Sequence, residues 1–269
     1  MKLKELYSQI IIELTNNLEN YDSLLQNDFL YKKNNDKFNY KLKNKDNNKN
    51  NRDNKKDNKR ENFNKVIVKD NSSIDEKLFL LKNKISHCKN CNLSLQKKNY
   101  VLGIGNINAD IMFIGEGPGA DEDKTGIPFV GKSGELLTSI IEKGMKLKRE
   151  EVYISNIVKC RPPGNRTPLD IEISSCINYL YEEIKIVNPK IIVTLGGTAL
   201  RSLLPHYSGI TRYRGHKLTI LLNNGVRYNI IPTYHPSYLL RGSEMDKRKR
   251  KQELWQDIKK VMDFMGLSY

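Results

Sequence analysis

The sequence contains no apolar run of the roughly 18 residues that a membrane-spanning helix needs. Its first residues, MKLKELYSQIIIELTNN, also lack the apolar core and the small-residue cleavage site of a secretory signal. We therefore expect a soluble, cytoplasmic protein with no membrane partner. Only four cysteines occur in 269 residues, and because cytosolic thiols stay reduced, a disulfide framework is disfavoured.

Acidic residues are also in deficit, since 31 Asp and Glu stand against 46 Lys and Arg, for a net charge of +15. Such an excess favours a polyanionic partner, of which nucleic acid is the commonest. The alternative is that the charge belongs to a polar tail and only aids solubility. The mean hydropathy of −0.62 is low for a globular chain, so a polar segment must dilute an ordinary folded region.

Composition divides the chain into three segments. Residues 1–30 carry apolar side chains at helical spacing and predict an amphipathic helix. Residues 31–72 are dominated by Asn, Lys and Asp and cannot bury enough apolar surface to offset chain entropy, so we predict a disordered basic linker. Residues 73–269 have the texture of a folded domain.

Within that domain, short apolar runs bounded by Gly and Pro alternate with helical patterns. Strands are predicted in DIMFIGEG, VYISNIV, KIIVTLG and YNIIPTYHP, and helices in SIDEKLFLLKNKIS, GKSGELLTSIIEKGM, DIEISSCINYLYEEIKIV, GTALRSLLP and KRKRKQELWQDIKKVMDFMG. This alternation predicts an α/β fold with a mainly parallel sheet and helices on both faces. Ligands of such folds bind at the carboxyl ends of the strands.

The first predicted strand ends in a glycine-rich stretch, GEGPGADEDKTGIPFVGKSG, at residues 115–134. Glycines at this density let a backbone approach a ligand closely and direct its N–H groups at it. The Walker spacing of a phosphate loop is absent, and the stretch is out of register with the dinucleotide fingerprint. A structural turn is the plain alternative.

Two further strand ends carry polar side chains that suit chemistry. Asn156 ends VYISN, and an amide has both a donor and an acceptor for the edge of a pyrimidine. His235 opens HPSYLLR, where the following proline stiffens the backbone and suits a catalytic donor. A loop-capping asparagine and an ordinary loop histidine are the plain alternatives.

The four cysteines form a C-x2-C pair, Cys88 and Cys91, and a C-x15-C pair, Cys160 and Cys176. In a reduced compartment such a set binds structural zinc or an iron–sulfur cluster. A redox CxxC fits poorly because Cys88 precedes the sheet instead of lying on a strand-to-helix turn. Unligated core cysteines are a further alternative.

Together these motifs resemble the family 4, iron–sulfur uracil-DNA glycosylases. The order is CxxC, GEGPG with a downstream GIPFVG, N-x3-CRPP-x-NR-x-P, a second cysteine sixteen residues later, and HPS. The resemblance covers about residues 75 to 266. It implies a three-layer α/β sandwich and a monomeric enzyme that flips uracil out of single- or double-stranded DNA and hydrolyses its N-glycosidic bond.

The resemblance also implies roles for particular residues. Cys88, Cys91, Cys160 and Cys176 match the ligands of a 4Fe–4S cluster. Gly115, Glu116, Gly117, Phe129, Asn156 and His235 match the residues around the uracil, with Asn156 and His235 as catalytic groups. Arg241 and the neighbouring Tyr238, Leu239 and Leu240 match the loop that enters the DNA at the lesion. Apart from the resemblance, Arg161 and Arg166 place positive charge where the DNA should pass, and we predict that they contact it. Lys159 and the KRKRK run from Lys247 add positive charge, although a solvated helix face explains the run equally well.

One departure concerns the attacking water. In other uracil glycosylase families an Asp two residues after the first glycine of this loop positions the water, and here that place holds Gly117. We assign the water, or exclusion of the thymine methyl group, to Asp121. Glu116, Glu122 and Asn156 are the other candidates.

Three alternatives to this interpretation remain open from the sequence. The first is a catalytically silent iron–sulfur DNA-binding accessory module, which predicts binding without uracil release. The second is a glycosylase with a broader range of deaminated bases. The third replaces the iron–sulfur cluster by zinc.

Overall fold

A six-stranded mixed sheet forms the centre of the computed structural model, which describes residues 73–268. The strands are β1 (Ile104–Gly105), β2 (Ile111–Gly115), β3 (Tyr153–Asn156), β4 (Ile191–Leu195), β5 (Leu218–Leu221) and β6 (Arg227–Thr233). Their order is β1-β3-β2-β4-β6-β5. The four central strands are parallel and the two edge strands antiparallel. The predicted helix at 1–30 and linker at 31–72 lie outside the described residues.

Nine α-helices surround this sheet in the described part of the chain. They are α1 (Ile74–Ser86), α2 (Leu93–Gln96), α3 (Ala120–Thr125), α4 (Lys132–Ser139), α5 (Asp170–Val187), α6 (Gly197–Leu203), α7 (Ile210–Tyr213), α8 (Pro236–Leu239) and α9 (Glu244–Met265). A π-helical turn, Ile140–Gly144, continues α4, and short 3₁₀ turns lie at Arg149–Glu151 and Pro163–Asn165. Between residues 73 and 268, no helix has both the length and the apolarity that crossing a membrane requires.

Side-chain alternation along the buried strands creates two cores, one on each face of the sheet. On β2, Met112 and Ile114 face the core that includes α5 and α6, whereas Ile111 and Phe113 face the core that includes α4 and α9. Successive side chains of a strand point to opposite faces, so a strand buried on both sides is apolar throughout. The predicted three-layer α/β sandwich is confirmed.

The four predicted strands are confirmed as the parallel centre of the sheet, but β1 and β5 were not predicted. Each of these two pairs with only one neighbouring strand. The two-residue β1 is too short to show a pattern, and β5 has only one buried residue, Ile220. Edge strands lack a second neighbour and carry a weaker apolar signal, so their existence is decided by pairing across the sheet.

Candidate active site

The carboxyl ends of the parallel strands open into one cavity of about 800 Å³. It lies at the edge where the sequence predicts a ligand site. The cavity is lined by nine of the residues named from the sequence, namely Glu116, Gly117, Asp121, Glu122, Phe129, Asn156, Arg166, His235 and Arg241. These residues come from three segments of the chain, at the ends of β2, β3 and β6, and the parallel sheet brings them together because its strands end at the same edge.

Gly115 lies between the two side chains that form the inner end of this cavity. A Cβ atom at this position would stand 2.5 Å from Asn156 Oδ1 and 2.5 Å from Cζ of Phe129. No side chain fits in that space, since real Cβ contacts are not this short. The glycine therefore permits the close approach of the Phe129 ring to the Asn156 amide.

Phe129 has a strained backbone, with φ at +55°. A bulky residue in this left-handed region is uncommon and costs on the order of 1–3 kcal/mol. Arg149 stabilises the turn, because its Nη2 donates to the carbonyls of Pro128 (2.8 Å) and Phe129 (3.0 Å). The strained turn places the ring 5.7 Å from the His235 ring, with 32° between their planes.

Asn156 ends β3 with only 2% of its surface exposed. Its Oδ1 is buried and has no hydrogen-bond partner among the described residues. A buried acceptor without a partner costs roughly 1–3 kcal/mol and is rare in folded proteins. An unpaired acceptor at the inner end of an open cavity is therefore available to a donor group on a ligand.

Behind Asn156 lies a buried ion pair between Lys159 and Glu183. Lys159 is 1% exposed, so the prediction that it adds charge to the DNA-facing surface is wrong. Its Nζ donates to Glu183 Oε2, to Ser155 Oγ (2.8 Å) and to the carbonyl oxygen of Asn156 (2.8 Å). Glu183 also accepts hydrogen bonds from Ser155 Oγ (2.7 Å) and from the amide of Gly103 (2.7 Å). This network fixes the backbone that carries the Asn156 amide.

His235 presents one defined imidazole tautomer to the cavity. The backbone N–H of Ser237 donates to His235 Nδ1 at 3.1 Å, and Ser237 Oγ lies 2.8 Å from the same nitrogen. Since Nδ1 is an acceptor, the proton of the neutral ring resides on Nε2. Burial, followed by the positive charge of Arg241, lowers the pKa of His235 to about 4. The imidazole is therefore a neutral Nε2–H donor at neutral pH.

This lowered pKa predicts a flat acidic side of the pH profile. Uracil release under single-turnover conditions should not fall between about pH 8 and pH 5.5, because His235 stays neutral until the pH approaches its folded-state pKa of about 4. An acid limb with a midpoint near 6.5, absent from a His235→Asn variant, would show instead that an ordinary histidine titrates.

The same shift predicts how stability depends on pH. The pKa of His235 is lower in the folded state than its ordinary value of 6.5, so the unfolded chain takes up the proton first. The contribution to stability is complete above about pH 6.5 and is lost as the pH falls toward 4. The midpoint temperature of thermal unfolding should therefore fall more steeply over this pH range for the wild type than for His235→Asn.

Two acidic residues of the glycine-rich stretch, Glu122 and Asp121, differ in their exposure and in their hydrogen bonds to the backbone. Glu122 accepts hydrogen bonds from the amides of Gly119 (3.0 Å), Val130 (3.0 Å) and Gly131 (3.2 Å), so its carboxylate holds two loops together. Asp121 is exposed and lines the cavity. Of these two candidates for holding the water, only Asp121 presents a carboxylate free of such backbone hydrogen bonds in the structure.

The loop after Cys160 carries the two arginines predicted to contact DNA. Arg161 Nε donates to Asn165 Oδ1 at 2.7 Å. Arg166 donates through both Nη atoms to the carboxylate of Glu172 at 2.8 and 2.6 Å. These contacts stiffen the loop while Arg166 stays exposed beside the cavity. DNA contact by both arginines stays a prediction.

In the loop that begins at His235, the structure contradicts one assignment made from the sequence. Leu239 was predicted to contact DNA, but it is 1% exposed and packs in the core that contains α4 and α9. The turn of α8 directs this side chain inward, and its neighbours Tyr238 and Leu240 are 41% and 42% exposed. Arg241 is exposed and lines the cavity, and its contact with DNA stays a prediction.

All four cysteines line a second, small cavity and none is in a disulfide. Cys88 and Cys91 follow α1, Cys160 follows β3, and Cys176 lies on α5. Burial raises the pKa of the Cys160 thiol to about 12 and that of Cys176 to about 11. The described residues include no group of three or more His, Cys, Asp or Glu side chains already arranged to hold a metal ion. The four donors suit a thiolate-bound metal in kind, but they do not form a finished ligand cage.

Sequence reasoning missed several residues that position the site, and two of them leave a readable signal. Glu183 is a charged residue on the apolar stripe of α5, beside Leu180, Ile184 and Val187. Ser237 follows His235 by two positions, the spacing of a local side-chain turn. Arg149 leaves no such signal, because its contact with the Phe129 turn joins residues twenty positions apart.

The cavity, its strand-end residues and the layered fold together define a class of protein. Residues 102–259 match the family model described as the uracil DNA glycosylase superfamily. The chain belongs to this superfamily.

Individual relatives narrow this assignment. A type-4 uracil-DNA glycosylase of Thermotoga maritima is 42% identical over 192 residues, covering 71% of this chain and 96% of the relative. A type-4 uracil-DNA glycosylase of Sulfurisphaera tokodaii is 41% identical over 187 residues, covering 68% and 82%. A type-5 uracil-DNA glycosylase of Pyrobaculum aerophilum is 31% identical over 149 residues, covering 50% and 64%. Within the superfamily, the chain is a member of the type-4 family.

Proposed function

We propose that this protein is a uracil-DNA glycosylase that flips uracil out of DNA and hydrolyses its N-glycosidic bond, which starts base excision repair. The observation that carries this proposal is the unpaired Asn156 Oδ1 at the inner end of a cavity also lined by Phe129 and His235. A base inside a duplex cannot be reached by such a cavity, so the nucleotide must be extruded at a cost of roughly a few kcal/mol.

Base recognition follows from the chemistry of the Asn156 amide. Its oxygen accepts from N3–H of uracil and its NH₂ group donates to O4. Cytosine presents a bare N3 and an amino group instead, so both partners are mismatched. A site with buried polar groups rejects such a base because those groups stay unpaired. The Phe129 ring adds a stacking face, worth roughly 1–3 kcal/mol per base.

Bond cleavage leaves cationic character on the sugar and negative charge on the uracil ring. The Nε2–H of His235, held in place through Nδ1 by Ser237, donates to O2 and stabilises that charge. Arg241 adds a positive charge close enough to lower the pKa of His235. Water attacks the anomeric carbon as the bond to uracil N1 breaks, and uracil leaves as an anion that is then protonated. We assign the water, or exclusion of the thymine methyl group, to Asp121.

The charge of the chain supports DNA, single- or double-stranded, as the partner. Residues 73–269 contain 30 Lys and Arg against 20 Asp and Glu, so the positive excess does not reside only in the polar N-terminal segment. Arg161, Arg166 and Arg241 lie on the loops around the cavity, where each phosphate contact would add a salt-dependent increment of affinity.

The direct test uses the purified full-length protein and an oligonucleotide with a single uracil. Free uracil should appear in solution, and alkali should then break the strand at that position. Matched oligonucleotides with cytosine or thymine should stay intact, and cleavage of a thymine mispair would indicate the broader base range. Binding without release, across a range of salt concentrations, would identify a catalytically silent DNA-binding module instead.

We further propose that Cys88, Cys91, Cys160 and Cys176 hold a 4Fe–4S cluster. Their shared cavity and the lack of a disulfide among these four thiols support this, as does membership of the type-4 family. When bound, the cluster supplies a covalent cross-link between the turn after α1, the loop after β3 and helix α5. Broad absorption near 400 nm with iron bound is expected, while a colourless protein with stoichiometric zinc would overturn the assignment.

Cys160→Ser tests the purpose of this cross-link. The variant should lose bound iron and weaken DNA binding, because the loop with Arg161 and Arg166 loses its anchor. Iron content and DNA affinity are measured on the same preparation. Cys160→Ser with unchanged iron, or with lost iron and unchanged DNA affinity, would contradict the proposed anchoring.

The monomeric state and the cytoplasmic location are proposals of the same kind. The four cysteines without disulfides suit a reducing compartment. Sedimentation of the purified protein at the mass of one chain, 31.2 kDa, would support the monomer.

A further inference from the structure

The basic run on α9 contains one arginine that differs from its neighbours. Arg248, Lys249 and Lys251 are exposed, whereas Lys247 and Arg250 are partly buried; Lys247 pairs with Glu244 on its own helix, and Arg250 reaches another segment of the chain. Nη1 of Arg250 donates to the carbonyl oxygens of Tyr238 (3.0 Å) and Arg241 (2.7 Å), and its Cζ lies 3.9 Å from the centre of the Tyr238 ring. The sequence left this run either solvated or bound to DNA, and neither describes Arg250.

Tyr238 lies in α8 and Arg241 in the loop that leaves it. The Tyr238 carbonyl oxygen accepts from the backbone N–H groups of Leu240 and, at 3.5 Å, Arg241, and the positive side chain of Arg250 adds a further donor at this helix end. Arg250 therefore caps α8 from a different helix. Because the same guanidinium also lies over the Tyr238 ring, it restrains both the backbone and a side chain of this loop.

Other contacts hold the loop from two further sides. The centre of the Tyr238 ring lies 5.0 Å from that of Tyr234, with 53° between the ring planes, and Cζ of Arg214 lies 5.2 Å from the centre of the Tyr234 ring. Leu239 is buried in the core beneath. Tyr238 and Leu240 are equally exposed, but the Tyr238 ring is held by Arg250 and Tyr234, so Leu240 is the aliphatic side chain of this loop that faces solvent, next to Arg241 at the cavity.

A rigid loop of this kind matters only for duplex DNA. Extruding a paired base costs unstacking and unpairing energy, and an apolar side chain that enters the vacated space offsets part of that cost. In single-stranded DNA the base is already free of its partner, so no such wedge is needed. A flexible loop would offset less of the free energy of base extrusion, because ordering the loop would itself cost part of the energy gained from its contacts.

We propose that Arg250 is a positioning residue that holds the loop 238–241 ready to enter duplex DNA, with Leu240 as the inserted side chain. The inference rests on the proposed uracil-DNA glycosylase function. It assigns to Arg250 a role in the choice between double- and single-stranded substrates, separate from base recognition by Asn156 and from phosphate contact by the exposed members of the run.

The test compares Arg250→Met with Arg248→Met, since both remove one positive charge from the same helix and keep an unbranched stem. For Arg250→Met we expect kcat/KM to fall about tenfold on uracil paired with adenine, which corresponds to ~1.4 kcal/mol. The loss should be smaller for uracil mispaired with guanine and under about twofold on single strands, because extrusion is cheaper there. Arg250→Lys should restore part of the duplex activity, because an ammonium also donates to carbonyls.

A second measurement follows the loop itself. Hydrogen exchange in the peptide covering 237–242 should quicken in Arg250→Met and stay unchanged in Arg248→Met. Equal losses on duplex and single strands would show that Arg250 is a phosphate contact, and an unchanged duplex rate would show that the loop does not need it. If the wild type releases no uracil at all, the proposed function fails, while the exchange comparison still decides whether Arg250 holds the loop.

Discussion

Asn156→Ala is expected to slow uracil release by about 10²- to 10³-fold, the usual consequence of removing one polar group aimed at a developing charge. In the proposed binding mode the amide contacts the base at two positions, one of them O4, which carries part of the negative charge as the bond breaks. Single-turnover rates on a single-stranded uracil oligonucleotide measure this effect without the contribution of duplex opening.

The same substitution should leave the protein at least as stable as the wild type. Asn156 Oδ1 has no hydrogen-bond partner among residues 73–268, so its removal breaks no hydrogen bond through that atom there and relieves an unsatisfied acceptor. Ser202→Ala is a matched control, because Ser202 Oγ is also buried without a partner but Ser202 does not line the cavity. An active Asn156→Ala protein, or an inactive Ser202→Ala protein, would contradict the assignment of base recognition to Asn156.

Lys159→Met is expected to cause the largest loss of stability, about 3–5 kcal/mol, because it leaves the Glu183 carboxylate buried without its counter-charge. In a domain of this size the midpoint of thermal unfolding should fall by roughly 6–20 °C. The carbonyl of Asn156 also loses a donor, so uracil release by the molecules that remain folded should be slower.

Two further variants test whether the loss of stability comes from the unpaired Glu183 carboxylate or simply from removing a lysine. The double variant Lys159→Met with Glu183→Gln removes both charges and should regain most of the stability, since the amide still offers an acceptor to Ser155 and Gly103. Lys190→Met breaks the ion pair with Asp110, whose side chains are 64% and 50% exposed, and should cost no more than about 1 kcal/mol. If the double variant were as unstable as Lys159→Met alone, the unpaired charge would not be the cause.

Much of the candidate site could be predicted because its residues follow recognisable strands. Asn156 and His235 stand directly after apolar runs, and the glycines at 115 and 117 follow another. Once those runs are interpreted as parallel strands, their carboxyl ends must meet at one edge. The shared cavity of residues that are distant in the chain follows from this rule, and the structure confirms it.

Other parts of the site could not be predicted from local pattern. Lys159 lies between the cavity and Cys160 in a basic stretch of sequence, which favoured DNA contact, yet it is buried by a partner on a helix 24 positions later. Leu239 lies in a loop with two other apolar side chains, and only the turn of α8 decides which one faces the core. In both cases contacts between distant segments determine what the side chain does.

The sequence by itself determined the α/β class and the parallel strands, because these depend on periodicity and spacing along the chain, and the resemblance carried by its motifs indicated most of the residues that line the cavity. The tertiary structure alone decided the Nε2–H tautomer of His235, the unpaired oxygen of Asn156, the buried Lys159–Glu183 pair and the capping of α8 by Arg250. Each of these depends on burial and on the position of a hydrogen-bonding or charged partner. Tertiary packing determines both, and the local sequence does not.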